Sequence, residues 1–236
     1  MEEELPNPEF FVHRLATGPV AEERDEVLLR LCAGRRVLHV GCTDHPLTGE
    51  RLRDGSILHA KLMKTGNEVL GVDVDREGIE LLRTHLGGHY LVQDLSDSQG
   101  VLAAAEFKPD VILAGDVIEH VRDAASFLRG ISALMREVGD GVELILSTPN
   151  GLGAKTLLNT LTGVERIHPD HVYVFTPASL ARLVSDCGLA PHRWFFYHVN
   201  SRNGVRARVQ RTICHVAARL RPAFAAGQVL VCRATA

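Results

Sequence analysis

Along the chain, short apolar runs alternate with longer stretches whose apolar positions recur at helical spacing. The runs are Arg36–Val40 (RVLHV), Glu68–Val74 (EVLGVDV), His89–Val92 (HYLV), Pro109–Ala114 (PDVILA) and Val142–Ser147 (VELILS). Each is about strand length and rich in Val, Ile and Leu, as strands covered on both faces must be. The stretches between them predict helices near residues 56–65, 76–86, 98–106 and 123–137. Asp123 and Ser126 are cap candidates for the last of these, and Gly139 and Gly141 stop it. Such a βαβαβ alternation builds a mostly parallel sheet with helices on both sides.

Beyond Ser147 the pattern changes. A loop-rich stretch leads to Thr176-Pro177-Ala178-Ser179, a capped helix start with Pro at its first position, and that helix should end at Gly188. Late strands are expected at His192–Val199 and Gln228–Arg233, with an arginine-rich helix around 203–221 between them. In that helix Val205, Val209, Ile213, Val216 and Leu220 predict a packed stripe under a solvated basic face. A further helix is expected near 20–33. The fold expected is a doubly wound α/β domain over 1–236 with a seven-stranded, mostly parallel sheet, an N-terminal helix and a C-terminal arginine-rich helix.

Composition supports one sizeable core: of 236 residues, 45% are hydrophobic and 23% charged. The net charge of −3 hides a skew. From Cys187 onward there are eight Arg and no Asp, Glu or Lys, so residues 1–186 carry −11 (−3 minus 8). The total argues against a general nucleic-acid binder but leaves room for a local anion-binding surface. Five scattered cysteines without a C-x-x-C pair read as reduced, mostly buried thiols. The acidic start, MEEELPNPEFF, lacks the parts of a secretory signal, and no apolar run approaches the roughly 18 residues of a membrane span. A cytoplasmic protein without membrane association is expected.

In an open α/β sheet, ligands bind beyond the carboxyl ends of the strands where strand order reverses. The first strand here ends in Val40-Gly41-Cys42-Thr43-Asp44, and Gly41 lets the backbone turn tightly and approach a ligand. The second ends in Val72-Asp73-Val74, whose carboxylate can accept two hydrogen bonds from a ribose diol. Asp94 and Leu95 end the third, offering an acceptor for an exocyclic amine and an apolar contact for a base. The fourth runs through Gly115 and Asp116 to Glu119-His120. Together these describe a nucleoside pocket without a phosphate cradle. The dinucleotide fingerprint fails, because Thr43 and Pro46 stand where G-x-G-x-x-G needs glycine.

In this order, VLHVGC, LGVDVDREGIELL, the Asp94 strand end, DVILAGDVIEHVRD, STPNG and HVYVFTPASLARLVSDCGL resemble class I S-adenosylmethionine (SAM)-dependent methyltransferases over about residues 30–190. The likeness is to the broad group of ubiquinone-biosynthesis and natural-product or sugar-tailoring O-methyltransferases. It implies a Rossmann-like domain that uses SAM as cofactor and methylates an oxygen, or less readily a nitrogen, of a small molecule. It also implies that Gly41, Cys42 and Thr43 contact the methionine part and that Asp73, with Val74, holds the ribose. Asp94 and Leu95 would frame adenine, and Gly115 and Asp116 would line the methyl-transfer face. Cys42 itself reads as a small packing residue whose backbone matters. The chain departs from the family at His39, where an acidic residue is usual, and at Thr43, where a second Gly is usual. Asp73 follows Gly41 by 32 residues, a longer interval than usual. The extra segment is expected to loop over the cofactor mouth, with Asp44 near the cofactor's ammonium.

Among twelve histidines, His120 follows the fourth strand, where the resemblance puts the acceptor. An imidazole can take a hydroxyl proton as the methyl moves, which makes His120 the leading general base and His171 the second. His13, His85, His89, His192 and His215 have no convergent partners in sequence and read as surface or packing residues. Asp116, Glu119 and His120, with His168 or His171, also have a spacing that can converge on a divalent metal. That pattern is similar to metal-assisted O-methyltransferases of the ubiquinone pathway and to small-RNA 2′-O-methyltransferases. The leading reading assigns no metal. A metal-assisted 2′-O-methyltransferase of RNA or a nucleoside is the first alternative, although no aromatics interleave the arginines to stack bases. A non-catalytic SAM-binding scaffold, suggested by His39 and Thr43, is the second. The acceptor pocket is expected from segments 44–62, 150–172 and 195–225, with a preference for an anionic small molecule set by the arginine-rich tail. The oligomeric state is left open, a homodimer included.

Overall fold

The computed structural model describes residues 14–199 and 205–235. Eight strands form one sheet: β1 (Val20–Ala21), β2 (Arg36–Val40), β3 (Glu68–Asp73), β4 (His89–Val92), β5 (Val111–Gly115), β6 (Glu143–Pro149), β7 (Leu189–Tyr197) and β8 (Gly227–Ala234). Their order is β1-β7-β8-β6-β5-β2-β3-β4, and only β8 runs against its neighbours. The chain moves outward from β2 to β4 and then returns to pair β5 with the other side of β2. Strand order therefore reverses between β2 and β5, which opens a crevice at their carboxyl ends. The eighth strand is an addition to the seven expected. Val20 and Ala21 pair with Phe196 and Tyr197 instead of opening a helix, so α1 spans only Arg24–Cys32.

Both faces of the central strands are apolar, which is why β2, β3 and β5 read as continuous hydrophobic runs. On one face Leu38, Leu70, Ile112 and Leu144 pack with residues of α5 (Ser98–Ala105), α6 (Ala124–Val138) and α8 (Pro177–Asp186). On the other, Val37, Val69, Val111 and Leu113 meet α1 and α3 (Leu58–Lys64). Each such side chain contributes roughly 1.5–3 kcal/mol by leaving water. Local signals fix the helix starts. The Thr176 hydroxyl accepts from Ser179 N at 3.1 Å, while Thr176 N donates to Ser179 Oγ at 2.9 Å, closing a capping box ahead of Pro177. Asp123 caps α6 by accepting from Ser126 N at 2.9 Å.

Three segments differ from expectation. The stretch after Gly41 is no simple loop: α3 forms where a helix is expected near 56–65, and a further helix, α2 (Thr48–Asp54), precedes it, both ahead of α4 (Arg76–Leu86). The loop after β6 contains α7 (Ala154–Leu161). In α9 (Val205–Leu220) the stripe residues Val209, Ile213, Val216 and Leu220 face outward, with Val209 56% and Leu220 70% exposed. Ala218 and its half-buried neighbours Cys214 and Ala217 are the covered side instead, against α7 and the short turn Pro222–Phe224. Small side chains let backbones approach closely, and that contact prevails over the bulkier stripe. Arg202 lies outside the described residues.

Candidate active site

A cleft of about 720 Å³ opens at the β2/β5 crevice, and every residue singled out as cofactor-binding lines it: Gly41, Cys42, Thr43, Asp73, Val74, Asp94, Leu95, Gly115 and Asp116. Gly41 has φ +68°, and a Cβ there would run into Val117, so glycine is required on both counts. Its N–H is held by Val72 O at 2.8 Å. Cys42 contributes backbone only. Its thiol is buried beside Gly71, in a cluster with Tyr90, and burial followed by the Asp73 charge pushes its pKa far up. Thr43 donates to Asp73 Oδ2 from both N (3.0 Å) and Oγ1 (2.9 Å), and Asp75 N donates to Oδ1 at 3.0 Å. Those three bonds aim the carboxylate across the crevice, and they explain Thr43 as a brace in place of the usual glycine. Asp94 accepts from Ser96 N at 2.8 Å, which turns the chain after β4, and Leu95 reaches down into the core. Asp44 stays on the cleft wall, paired with Arg51 at 3.1 Å.

Below the glycine turn lies a pair of histidines. His39 and His59 are both buried, stacked, and joined Nδ1 to Nδ1 at 3.1 Å, so one ring donates and the other accepts. Burial drives the His39 pKa far down, with His59 and Arg24 adding to it, and lowers His59 to about 4. The pair is neutral at physiological pH. His39 borders the cleft and His59 stands behind it.

Asp116 sits at φ +53° directly after β5, and three protein groups donate to its carboxylate. Arg24 Nη1 donates to Oδ2 at 2.5 Å, while Ser147 Oγ (2.7 Å) and Tyr197 OH (3.2 Å) donate to Oδ1. Burial opposes the charge on Arg24, but Asp116 overrides it and the guanidinium stays charged. Arg24 is 92 residues away in sequence; nothing in its local context (ERDEV) marks it as the anchor of the site.

Just past Asp116, Glu119, His120 and His171 converge, with ligand-type atoms all within 4.8 Å of one another. The His120 and His171 rings meet edge to face with centroids 4.6 Å apart, and His168 lies 5.1 Å from His171. A backbone bond from Val172 N to Glu119 O (2.9 Å) fastens the histidine loop to the strand end. Glu119 is completely buried and neither carboxylate oxygen has a hydrogen-bond partner. Burial, then the Asp116 charge, pushes its pKa up to about 8. The His171 pKa is lowered by burial and by the neighbouring His120 and His168. Of the expected acceptor segments, 44–62 and 150–172 line the cleft and α9 does not. Arg193, Arg208, Arg211, Arg219, Arg221 and Arg233 do not line it either; Arg193 and Arg233 pair with Glu143.

The sequence profile describing a methyltransferase domain matches residues 11–193. The chain belongs to that methyltransferase family. It is 30% identical over 166 residues to the ubiquinone biosynthesis O-methyltransferase of Thiobacillus denitrificans, a match covering 66% of this chain and 65% of that protein. The chain thus spans just under two thirds of this curated relative. Among solved structures, the fold is similar to magnesium protoporphyrin IX methyltransferase from Synechocystis PCC 6803 with bound S-adenosylhomocysteine (TM-score 0.51, 18% identity, 89% and 82% of the two chains). It is also similar to the small RNA methyltransferase HEN1 (TM-score 0.57, 17% identity, 89% of this chain and 25% of that one). The class is SAM-dependent, and the cleft suits its cofactor: a glycine turn that a Cβ would fill adjoins a braced carboxylate on the next strand. No helix among the described residues is long and apolar enough to cross a membrane.

Proposed function

We propose that this methyltransferase moves the methyl of SAM to an oxygen of a small-molecule acceptor seated against Glu119, His120 and His171. The observation that carries this reading is the convergence of those three residues on the same cleft as the glycine turn and Asp73. Asp73 accepts from the ribose hydroxyls, Asp94 and Leu95 border the adenine, and the backbone at Gly41–Thr43 faces the methionine part. SAM supplies a methyl already activated by its sulfonium. The protein's share is therefore alignment in a confined cleft and removal of the acceptor's proton. His120 takes that proton on a ring nitrogen. His171, kept neutral by burial and its neighbours, is the second candidate. Asp116 is a positioning residue, because Arg24, Ser147 and Tyr197 occupy its oxygens.

A second reading is favoured by the unpartnered buried carboxylate of Glu119. With His120 and His171 it forms a carboxylate–imidazole donor set suited to a divalent metal, which would lower the acceptor hydroxyl's pKa. Single-turnover assays of His120→Ala and His171→Ala, with and without chelator, test both readings. The base reading expects a loss of about 100-fold or more in at least one variant, with cofactor binding intact and no effect of chelator. Full rates in both variants would refute it. Loss on chelation with recovery on adding a divalent ion, seen equally in a Glu22→Gln background that leaves the cleft untouched, would establish the second reading.

A further inference from the structure

Outside the cleft, a second group of ligand-type side chains converges where three segments meet. Glu22 lies between β1 and α1, His198 directly follows β7, and His215 is on α9. Their donor atoms all lie within 4.8 Å of one another. The two imidazoles stack with centroids 3.7 Å apart, and His215 Nδ1 is 3.8 Å from Glu22 Oε1. His215 Nε2 is buried and has no hydrogen-bond partner. A donor nitrogen removed from water and left unmatched is unfavourable unless something else takes its lone pair or its hydrogen. A bound cation would take that lone pair.

We propose that Glu22, His198 and His215 form a binding site for a divalent transition ion of the zinc class, separate from the cleft, that fastens α9 to the end of β7 and to the segment entering α1. Two imidazoles and one carboxylate form a donor set that such ions accept, completed by water. Neutral imidazoles are the binding form. Rings stacked within 6° of parallel cannot both point at one ion. Binding therefore turns one ring about its Cβ–Cγ bond, and His215, with its unpartnered nitrogen, is the ring that turns. The segment holding Glu22 also supplies Arg24, so the ion would steady the stretch of chain that anchors Asp116. This inference does not depend on the identity of the acceptor or on any metal in the cleft.

Calorimetric titration of the chelator-stripped, tag-free full chain with ZnCl2 tests it. His120→Ala and His171→Ala are introduced first, so that the cleft histidines do not contribute. One zinc ion per chain is expected, at micromolar affinity or better, with a rise in melting temperature. Glu22→Gln alters an exposed side chain and should leave the circular dichroism spectrum unchanged. It should nonetheless weaken zinc binding by more than the ~10–100-fold that loss of an outer-shell partner alone costs. His215→Gln should abolish binding. No zinc binding by the parent double variant, or an affinity unchanged by either added substitution, overturns the site.

Discussion

Asp73 and Glu119 are carboxylates on the same cleft with opposite circumstances. Asp73 accepts two hydrogen bonds from Thr43, in the turn after β2, and one from Asp75 N, and its carboxylate stays open to a diol; Glu119 is buried with none. Asp73→Asn should therefore cost about 1.5–3 kcal/mol of S-adenosylhomocysteine binding, the range for a hydrogen bond to a charged group, measured by calorimetry. For Glu119 the consequence is a pH dependence of folding. Its pKa rises from 4.5 to about 8 on folding, so between those values the unfolded chain has lost a proton that the folded chain keeps. Stability in chelator should fall by a few kcal/mol as pH rises through that window. Urea unfolding of Glu119→Gln should show this part of the decline removed. Sequence alone is informative about Asp73 and Gly41 because their roles are set by position at a strand end. It is silent about Arg24, whose role exists only because β1 brings the start of α1 beside the end of β5.

The elements separate in the same way. Strands buried on both faces announce themselves as runs of Val, Ile and Leu, and the Thr176 and Asp123 helix starts are chemically local, so both are legible. The α9 surface is not, because a helix can carry one face of bulky residues and another of small ones, and spacing does not say which is covered. With Ala218 inward and Ile213 outward, Ala218→Leu should lower stability by about 1–3 kcal/mol through overpacking. Ile213→Ser should change it by less than about 0.5 kcal/mol. Urea unfolding of the two variants compares the faces directly, and a reversed ranking would mean that the stripe is the packed side. The insertion after Gly41 is recognisable by length, but its folding into α2 and α3 depends on Ile57, Ala60 and Leu62 finding the core beside β3.

For the molecule as a whole, two arginines of the basic tail, Arg193 and Arg233, are drawn to one carboxylate away from the cleft. Glu143, at the start of β6 and at the opposite end of the sheet from the site, gathers Arg35 (2.9 Å), Arg193 (3.3 Å) and Arg233 (3.4 Å). Burial alone would raise its pKa, but these arginines bring the net shift downward. The linkage then has the sign of a stabilising carboxylate: present above the ordinary carboxyl range and lost as pH falls through the folded value. Glu143→Gln should cost about 1–3 kcal/mol at pH 7, read by urea unfolding, and a shrinking amount as the pH falls through that titration. The preference for an anionic acceptor suggested by the tail finds no support from Arg193, Arg208, Arg211, Arg219, Arg221 or Arg233, none of which lines the cleft; the arginines that do, Arg24 and Arg51, are paired with Asp116 and Asp44. The sheet's outermost strands have a further consequence. β4 is four residues long and offers little backbone to a neighbouring chain. On the other border β1 covers only Phe196 and Tyr197 of the nine-residue β7, and the rest of that edge is interrupted by Pro191, which has no N–H, and by the register shift between Pro191 and Arg193. A proline and a bulge on an open edge hinder a second chain from continuing the sheet into cross-molecular ribbons.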